Sequence, residues 1–184
     1  VFEAVALEIH ALVRGFVDTI PPEGLQVLEL DELAEMLLGD LKKPSEPLWD
    51  RSDIEHVITA DHGYSLDSPP IRALVDVLVE DLSPSGQRQF LEFCTGCPRL
   101  PSGGLRALGK ITVVRRGGFS SAVDDVLLAG ATAAAIDASL PTVNTCFRYL
   151  KLPPYSSREV MRKRLMTAIE SCGSSFELSQ AQLS

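Results

Sequence analysis

Apolar side chains recur at helical spacing from the first residues onward. Val5, Ala6, Ile9, Leu12, Val13, Phe16 and Val17 share one stripe of a helix expected over Phe2 to Ile20, and Pro21-Pro22 stops it. A second helix is expected from about Asp31 to Leu38, closed by Gly39. Asp40 to Pro47 breaks the pattern with polar residues and two prolines, as a linker between folded units does.

Beyond the linker the pattern alternates between helix and strand. A short helix near Ser52 to Ile58 leads into the turn Asp61-His62-Gly63-Tyr64. Ser68-Pro69 and Ser83-Pro84 each pair an N-cap with a first-turn proline; they open one helix through Leu82 and another through Phe90 and Phe93 to Gly96. Lys110 to Arg115 is alternating and β-branched, hence a strand. The Ala/Gly-rich stretch Gly117 to Ser139 is expected to be a surface loop. Thr145 to Leu150 reads as a strand, Pro153-Pro154 as a turn, and Ser156 with Glu159 as a capping box. Val160, Leu165, Met166 and Ile169 give the next helix its apolar face up to Gly173, and Ser175 to Leu178 is expected to return as a last short strand.

Composition narrows the class. With 184 residues, 45% hydrophobic and 23% charged, the chain can bury a core, either one globular domain or a domain with part of another. A net charge of -8 disfavours nucleic acid and anionic membrane surfaces, which need a basic field. No run is long enough to span a membrane and the opening lacks a signal-peptide pattern, so an intracellular protein, cytoplasmic or nuclear, is expected. Val1 falls inside a helical pattern, which suggests a piece of a longer chain. Four cysteines are too few for a disulfide scaffold and read as reduced thiols.

Among them Cys146 is the candidate nucleophile, because an acyl-carrying sulfur must be accessible and Cys146 follows a loop and adjoins a strand. By residue type alone the commoner use of a free cysteine is buried packing. Cys94 and Cys97 lack the second ligand pair that zinc needs; a helix end with buried Cys94 and Gly96 at C′ is the simpler account. Cys172 reads as packing, His62 as a turn residue held by hydrogen bonds, and Arg158, Arg162, Lys163 and Arg164 as a solvated helix face. No cofactor and no metal is called for.

The run Thr145-Cys146 with Leu150, Leu152, Pro153 and Tyr155 resembles the active-site stretch of HECT-type ubiquitin ligases. Phe93 to Pro101 with Gly103-Gly104-Leu105 looks like a second hallmark of that family. Asp61-His62-Gly63-Tyr64, Ser68-Pro69 and Ser175 to Ser179 are similar to its ubiquitin-fusion-degradation subgroup. Four ordered landmarks are far more specific than any one.

The resemblance implies an α/β (α+β) carboxy-terminal lobe, a small mixed sheet packed by helices, over residues 49–184 with an insertion near 117–139. The last helices of the amino-terminal lobe would occupy 1–39 and an interlobe hinge 40–48. It implies that Cys146 accepts ubiquitin as a thioester from a ubiquitin-conjugating enzyme and passes it to a lysine of a protein substrate. Thr145, Asn144 and Phe147 would support it, Asn144 standing where many members have histidine. Phe176 would match the tail phenylalanine that assists transfer, although Gln180 to Ser184 extend beyond the usual end. The conjugating enzyme's docking surface in this family lies on a part of the amino-terminal lobe that this chain does not contain. Two other readings stay open: a non-catalytic ubiquitin-binding or regulatory module, and a thiol hydrolase. The second would need a histidine base, and His10, His56 and His62 all precede the expected sheet.

Overall fold

The computed structural model describes residues 6–20, 22–25, 27–39, 42–117 and 131–181, with 22, 25 and 172–181 described as backbone alone. Helices α1 (Ala6–Thr19), α2 (Pro22–Leu25) and α3 (Leu30–Leu38) come first. Their described residues bury nothing fully, and Leu7, Leu12, Leu30 and Met36 stay exposed. The expected start at Phe2, the stop at Pro21 and the linker residues Asp40 and Leu41 lie outside the described residues.

A folded unit begins at Leu48 and Trp49, both buried. Helix α4 (Arg51–Val57) runs directly into β1 (Ile58–Asp61), and α5 (Pro69–Asp76) passes into a π-helical turn, Val77–Asp81. Helix α6 (Pro84–Thr95) starts on Ser83, whose Oγ accepts from the Gly86 N–H at 3.2 Å. It ends at Gly96, in the left-handed conformation (φ 78°) that glycine adopts without Cβ strain. Then follow α7 (Gly104–Leu108), β2 (Ile111–Arg115), α8 (Ala133–Ala138), β3 (Thr142–Asn144), β4 (Tyr149–Leu152) and α9 (Arg158–Ala181).

The four strands lie in the order β1-β2-β4-β3, with β1, β2 and β4 parallel and β3 antiparallel to β4. Ile111 and Val113 of β2 and Leu150 and Leu152 of β4 are buried, while Thr112, Tyr149 and Lys151 between them are more exposed. One sheet face therefore carries the core. Phe90 and Leu91 of α6, Ile71 and Leu74 of α5, and Met161, Leu165 and Ile169 of α9 complete it.

Polar ties fasten the connections to this core. The buried Gln87 accepts the Leu48 N–H at 2.7 Å, and the Trp49 indole donates to the Leu78 carbonyl at 3.1 Å. The Arg88 guanidinium donates to the carbonyls of Lys43 at 2.7 Å and Pro44 at 3.0 Å, and more weakly to those of Lys42 and Glu46. The described linker residues are thus gathered onto α6.

Several expectations are corrected. The strand β1 was not anticipated, because Ile58 continues the apolar face of Ile54 and Val57 and only pairing with β2 makes 58–61 extended. Of the strand expected over Thr145 to Leu150 only Tyr149 and Leu150 are extended, in β4; residues 145–148 form a turn between β3 and β4, since Asn144 pairs back to Tyr149. Part of the expected surface loop, Ala133–Ala138, is helical, and Thr132 caps it by accepting the Ala135 N–H. Residues 118–130 lie outside the described residues.

Ser68 occupies the cap position, but its Oγ accepts from the Ser65 N–H rather than from the helix. The cap of α9 is Ser157, whose Oγ accepts the Val160 N–H, while Ser156 turns to Asp137. The last strand, Ser175 to Leu178, is absent: α9 continues through Gly173 to Ala181. A mid-helix glycine costs about 1 kcal/mol and does not by itself stop a helix, and Glu177, Leu178, Gln180 and Ala181 all favour continuation. The basic helix face is not wholly solvated either. Arg158 pairs with Glu80 and Asp81, and Arg164 donates to the Asp137 carbonyl at 2.6 Å.

Two outcomes follow from this packing. Leu150→Ala, at a fully buried position of an inner strand, is expected to cost about 2–5 kcal/mol in urea unfolding, whereas Leu12→Ala on the exposed α1 changes stability by less than about 0.5 kcal/mol. Arg88→Ala removes the donors that hold the 42–46 carbonyls, so limited proteolysis between Lys42 and Pro47 is expected to quicken before the remaining unit is cut.

Candidate active site

The chain reverses at Thr145 to Arg148 for local reasons. The Asn144 side-chain oxygen accepts the Phe147 N–H at 3.3 Å, the Arg148 N–H donates to the Thr145 carbonyl at 3.3 Å, and Arg148 takes φ 52° to close the turn. The Arg148 carbonyl then accepts the Thr112 N–H at 3.0 Å, which fastens the turn to the central strand β2. Cys146 sits at the exposed centre of this frame. Beside it the Phe147 ring is 69% exposed and faces that of Tyr149, with centroids 6.2 Å apart.

Of the residues singled out with Cys146, Thr145 and Phe147 share its turn, and Asn144 is the last residue of β3 leading into it. Phe176 falls within the backbone of α9, and its side chain lies outside the described residues, as does that of Cys172. The side chain of Asn144 serves the turn itself, through Phe147. Missed by sequence reasoning were Arg148, with its positive φ, and the exposed ring of Tyr149. Nothing in a linear pattern marks either, because the turn exists only once β3 and β4 pair.

The histidines are placed by topology. In parallel register Ile58, Ile111 and Tyr149 share one end of the sheet, which is the end that carries the Cys146 turn. His62 follows β1 at the opposite end, where its N–H donates to Asp61 Oδ1 at 2.7 Å and its carbonyl accepts from the Arg115 N–H at 3.2 Å. It is the hydrogen-bonded turn residue expected. His56 ends α4 ahead of β1, two strands away from β4.

The other cysteines differ sharply in setting. Cys94 is fully buried in α6, and burial pushes its thiol well above the ordinary range. Cys97 is exposed just beyond the Gly96 cap, its N–H donating to Thr95 Oγ1 at 3.1 Å. Among the described residues no group of three or more His, Cys, Asp or Glu side chains is disposed to hold a metal.

The run Leu150-Lys151-Leu152-Pro153-Pro154-Tyr155 after the turn is also anchored. Leu152 accepts at its carbonyl from Tyr64 Oη at 2.9 Å, and Tyr155 Oη donates to the Ser139 carbonyl at 2.8 Å; burial raises both phenols above their usual range. Asp137, at the end of α8, accepts from the Ser156 hydroxyl and, at 2.9 Å, from its N–H, and these bonds hold its carboxyl below the usual carboxylate range. The segment that ends in α8 is thus tied to the start of α9.

A turn presenting one exposed thiol, framed by the landmarks along the chain, coincides with a family match. The model of the HECT domain (ubiquitin-transferase) matches residues 1–179. The chain belongs to the HECT-domain family. It is 39% identical over 173 residues to the E3 ubiquitin-protein ligase UPL4 of Arabidopsis thaliana, covering 94% of this chain and 10% of that protein. The E3 ubiquitin-protein ligase UPL3 of the same plant is 41% identical over 177 residues, 95% of this chain and 9% of the relative. A probable ubiquitin fusion degradation protein of Schizosaccharomyces pombe is 38% identical over 178 residues, 96% of this chain and 10% of its own length. The chain thus spans about a tenth of the length of these relatives. They place it in the ubiquitin-fusion-degradation subgroup of HECT proteins. No helix of the described residues is long and apolar enough to cross a membrane.

Exposure separates the described thiols experimentally. Brief treatment of the native chain with iodoacetamide is expected to alkylate Cys97 and Cys146, and Cys94 only after denaturation, as read by peptide mass spectrometry. Prompt native labelling of Cys94 would contradict this burial.

Proposed function

We propose that this chain is the carboxy-terminal part of a HECT ubiquitin ligase in which Cys146 carries ubiquitin between a conjugating enzyme and a substrate lysine. The observation that carries the reading is the accessible Cys146 at the centre of a hydrogen-bonded four-residue turn, in a chain of this family. The Cys146 thiolate attacks the carbonyl carbon of the thioester between ubiquitin and the conjugating enzyme. A new C–S bond forms, and the enzyme's cysteine leaves as thiolate. A neutral lysine amine then attacks the Cys146 thioester, loses a proton to solvent as the tetrahedral intermediate collapses, and Cys146 leaves in turn. An isopeptide bond remains.

Thioester exchange is nearly balanced in energy, so the first transfer needs position and access more than a strong base. A turn fastened by Asn144 and by Thr112 meets that demand. The placement of His62 at the far end of the sheet gives no support to a hydrolase that pairs this thiol with it. In this reading Thr145 and Phe147 flank the acyl chain, and Phe176 is the tail aromatic that assists transfer. Residues 1–39 are helices of the amino-terminal lobe, 40–48 the hinge, and 49–184 the carboxy-terminal lobe. The exposed stripes of α1 and α3 fit helices that belong to another unit.

The test uses the complete ligase containing this chain, with its conjugating enzyme and ubiquitin. A ubiquitin adduct cleaved by thiol reductant is expected, absent in Cys146→Ala and replaced in Cys146→Ser by an ester that resists reductant. A reducible adduct that persists in Cys146→Ala would remove the assignment. An intact chain that binds ubiquitin but never forms the adduct would favour the non-catalytic module.

A further inference from the structure

A groove of about 410 Å³ opens beside the Cys146 turn. Thr145 and Arg148 line it together with Cys97, Arg99, Leu100 and Gly39 at the end of α3. Gly39 comes so near that a Cβ there would stand 2.2 Å from the Leu100 carbonyl oxygen. The charged residues lining this groove are Arg99 and Arg148, with no carboxylate among its lining residues, in a chain of net charge -8.

Those two arginines differ from most of the others. Arg51, Arg72, Arg106 and Arg158 each pair with a carboxylate, and Arg88, Arg116 and Arg164 donate to backbone carbonyls. The guanidiniums of Arg99 and Arg148 have no such partner among the described residues. Arg148 Nε is moreover buried without any hydrogen-bond acceptor. Its position is prearranged, because the backbone of Arg148 is held at both ends by Thr145 and Thr112.

We propose that this groove binds acidic side chains of the protein substrate next to the lysine that receives ubiquitin. Resting on the acyl-transfer reading, this names the class of acceptor that the same site prefers: a lysine flanked by aspartate or glutamate. Two guanidinium groups lining one groove match carboxylates, and the same charges repel further cations from it. An acidic segment bound between Arg99 and Arg148 lies alongside Thr145 and Arg148, the residues that bracket Cys146 on the turn. Its lysine is thereby delivered to the thioester.

Binding is measured on this chain without ubiquitin, so that failure here is distinct from failure of thioester formation. Fluorescent peptides carry one central lysine flanked by glutamates, by glutamines or by arginines. The glutamate peptide is expected to bind about tenfold more tightly than the glutamine peptide at low salt, with the gap narrowing as salt shortens the Debye length to about 8 Å. Arg99→Gln is expected to reduce the preference, and Arg99→Gln with Arg148→Gln to abolish it. Arg72→Gln, outside the groove, leaves it intact. Circular dichroism and the Cys146 alkylation rate verify that the turn survives in each variant. Equal binding of the glutamate and glutamine peptides overturns the proposal, as does an acidic preference that persists in the double variant. In the complete ligase Arg99→Gln should raise KM for an acidic acceptor peptide while thioester loading stays unchanged; a loss of loading instead would also count against it.

Discussion

Strand β4 is the constraint on which the rest of the structure depends. Leu150 and Leu152 are fully buried, so the strand cannot slip by one residue without turning Lys151 and Tyr149 into the core. Its parallel pairing with β2 and antiparallel pairing with β3 are therefore fixed together. That double pairing leaves four residues, Thr145 to Arg148, to reverse the chain. The thiol is exposed because the core fixes the strand that follows it.

Around that strand, polar bonds do what area burial cannot: they choose one arrangement of connections. Gln87 and Trp49 hold the entry to the unit, Arg88 gathers the carbonyls of 42–46, and Asp137 with Tyr155 ties α8 to the segment before α9. Most of these bonds join a side chain to a backbone carbonyl or N–H far away in sequence. Individually the exposed ion pairs, such as Arg51 with Glu80, contribute little. Their common effect is to join α4, the π-helical turn and α9 at Glu80, which both Arg51 and Arg158 contact. The unit that carries the thiol is thus internally tied, whereas α1 and α3 keep apolar stripes in solvent.

The cysteines of this one chain sit in contrasting settings. Cys94 and Cys146 are the same residue type, but burial suppresses ionisation of the first while the turn leaves the second exposed. Likewise most arginines are spent on internal partners, and the two beside the Cys146 turn are not.

The sequence by itself determined the family, the helix after Ser83, a helix after Pro153-Pro154 although not its capping serine, a strand within 110–115 and the candidate thiol, because capping residues, glycine stops and short motifs act locally. Buried Cys94 and the left-handed Gly96 were legible for the same reason. Only the tertiary structure decided that Ile58 to Asp61 is a strand, that 145–148 is a turn, and that the chain after Gly173 stays helical. Strand pairing couples residues about fifty or forty positions apart, and no local pattern contains the partner. The meeting of Arg99 with Arg148 is of that kind: each looks like an ordinary surface charge until the core brings them to one groove.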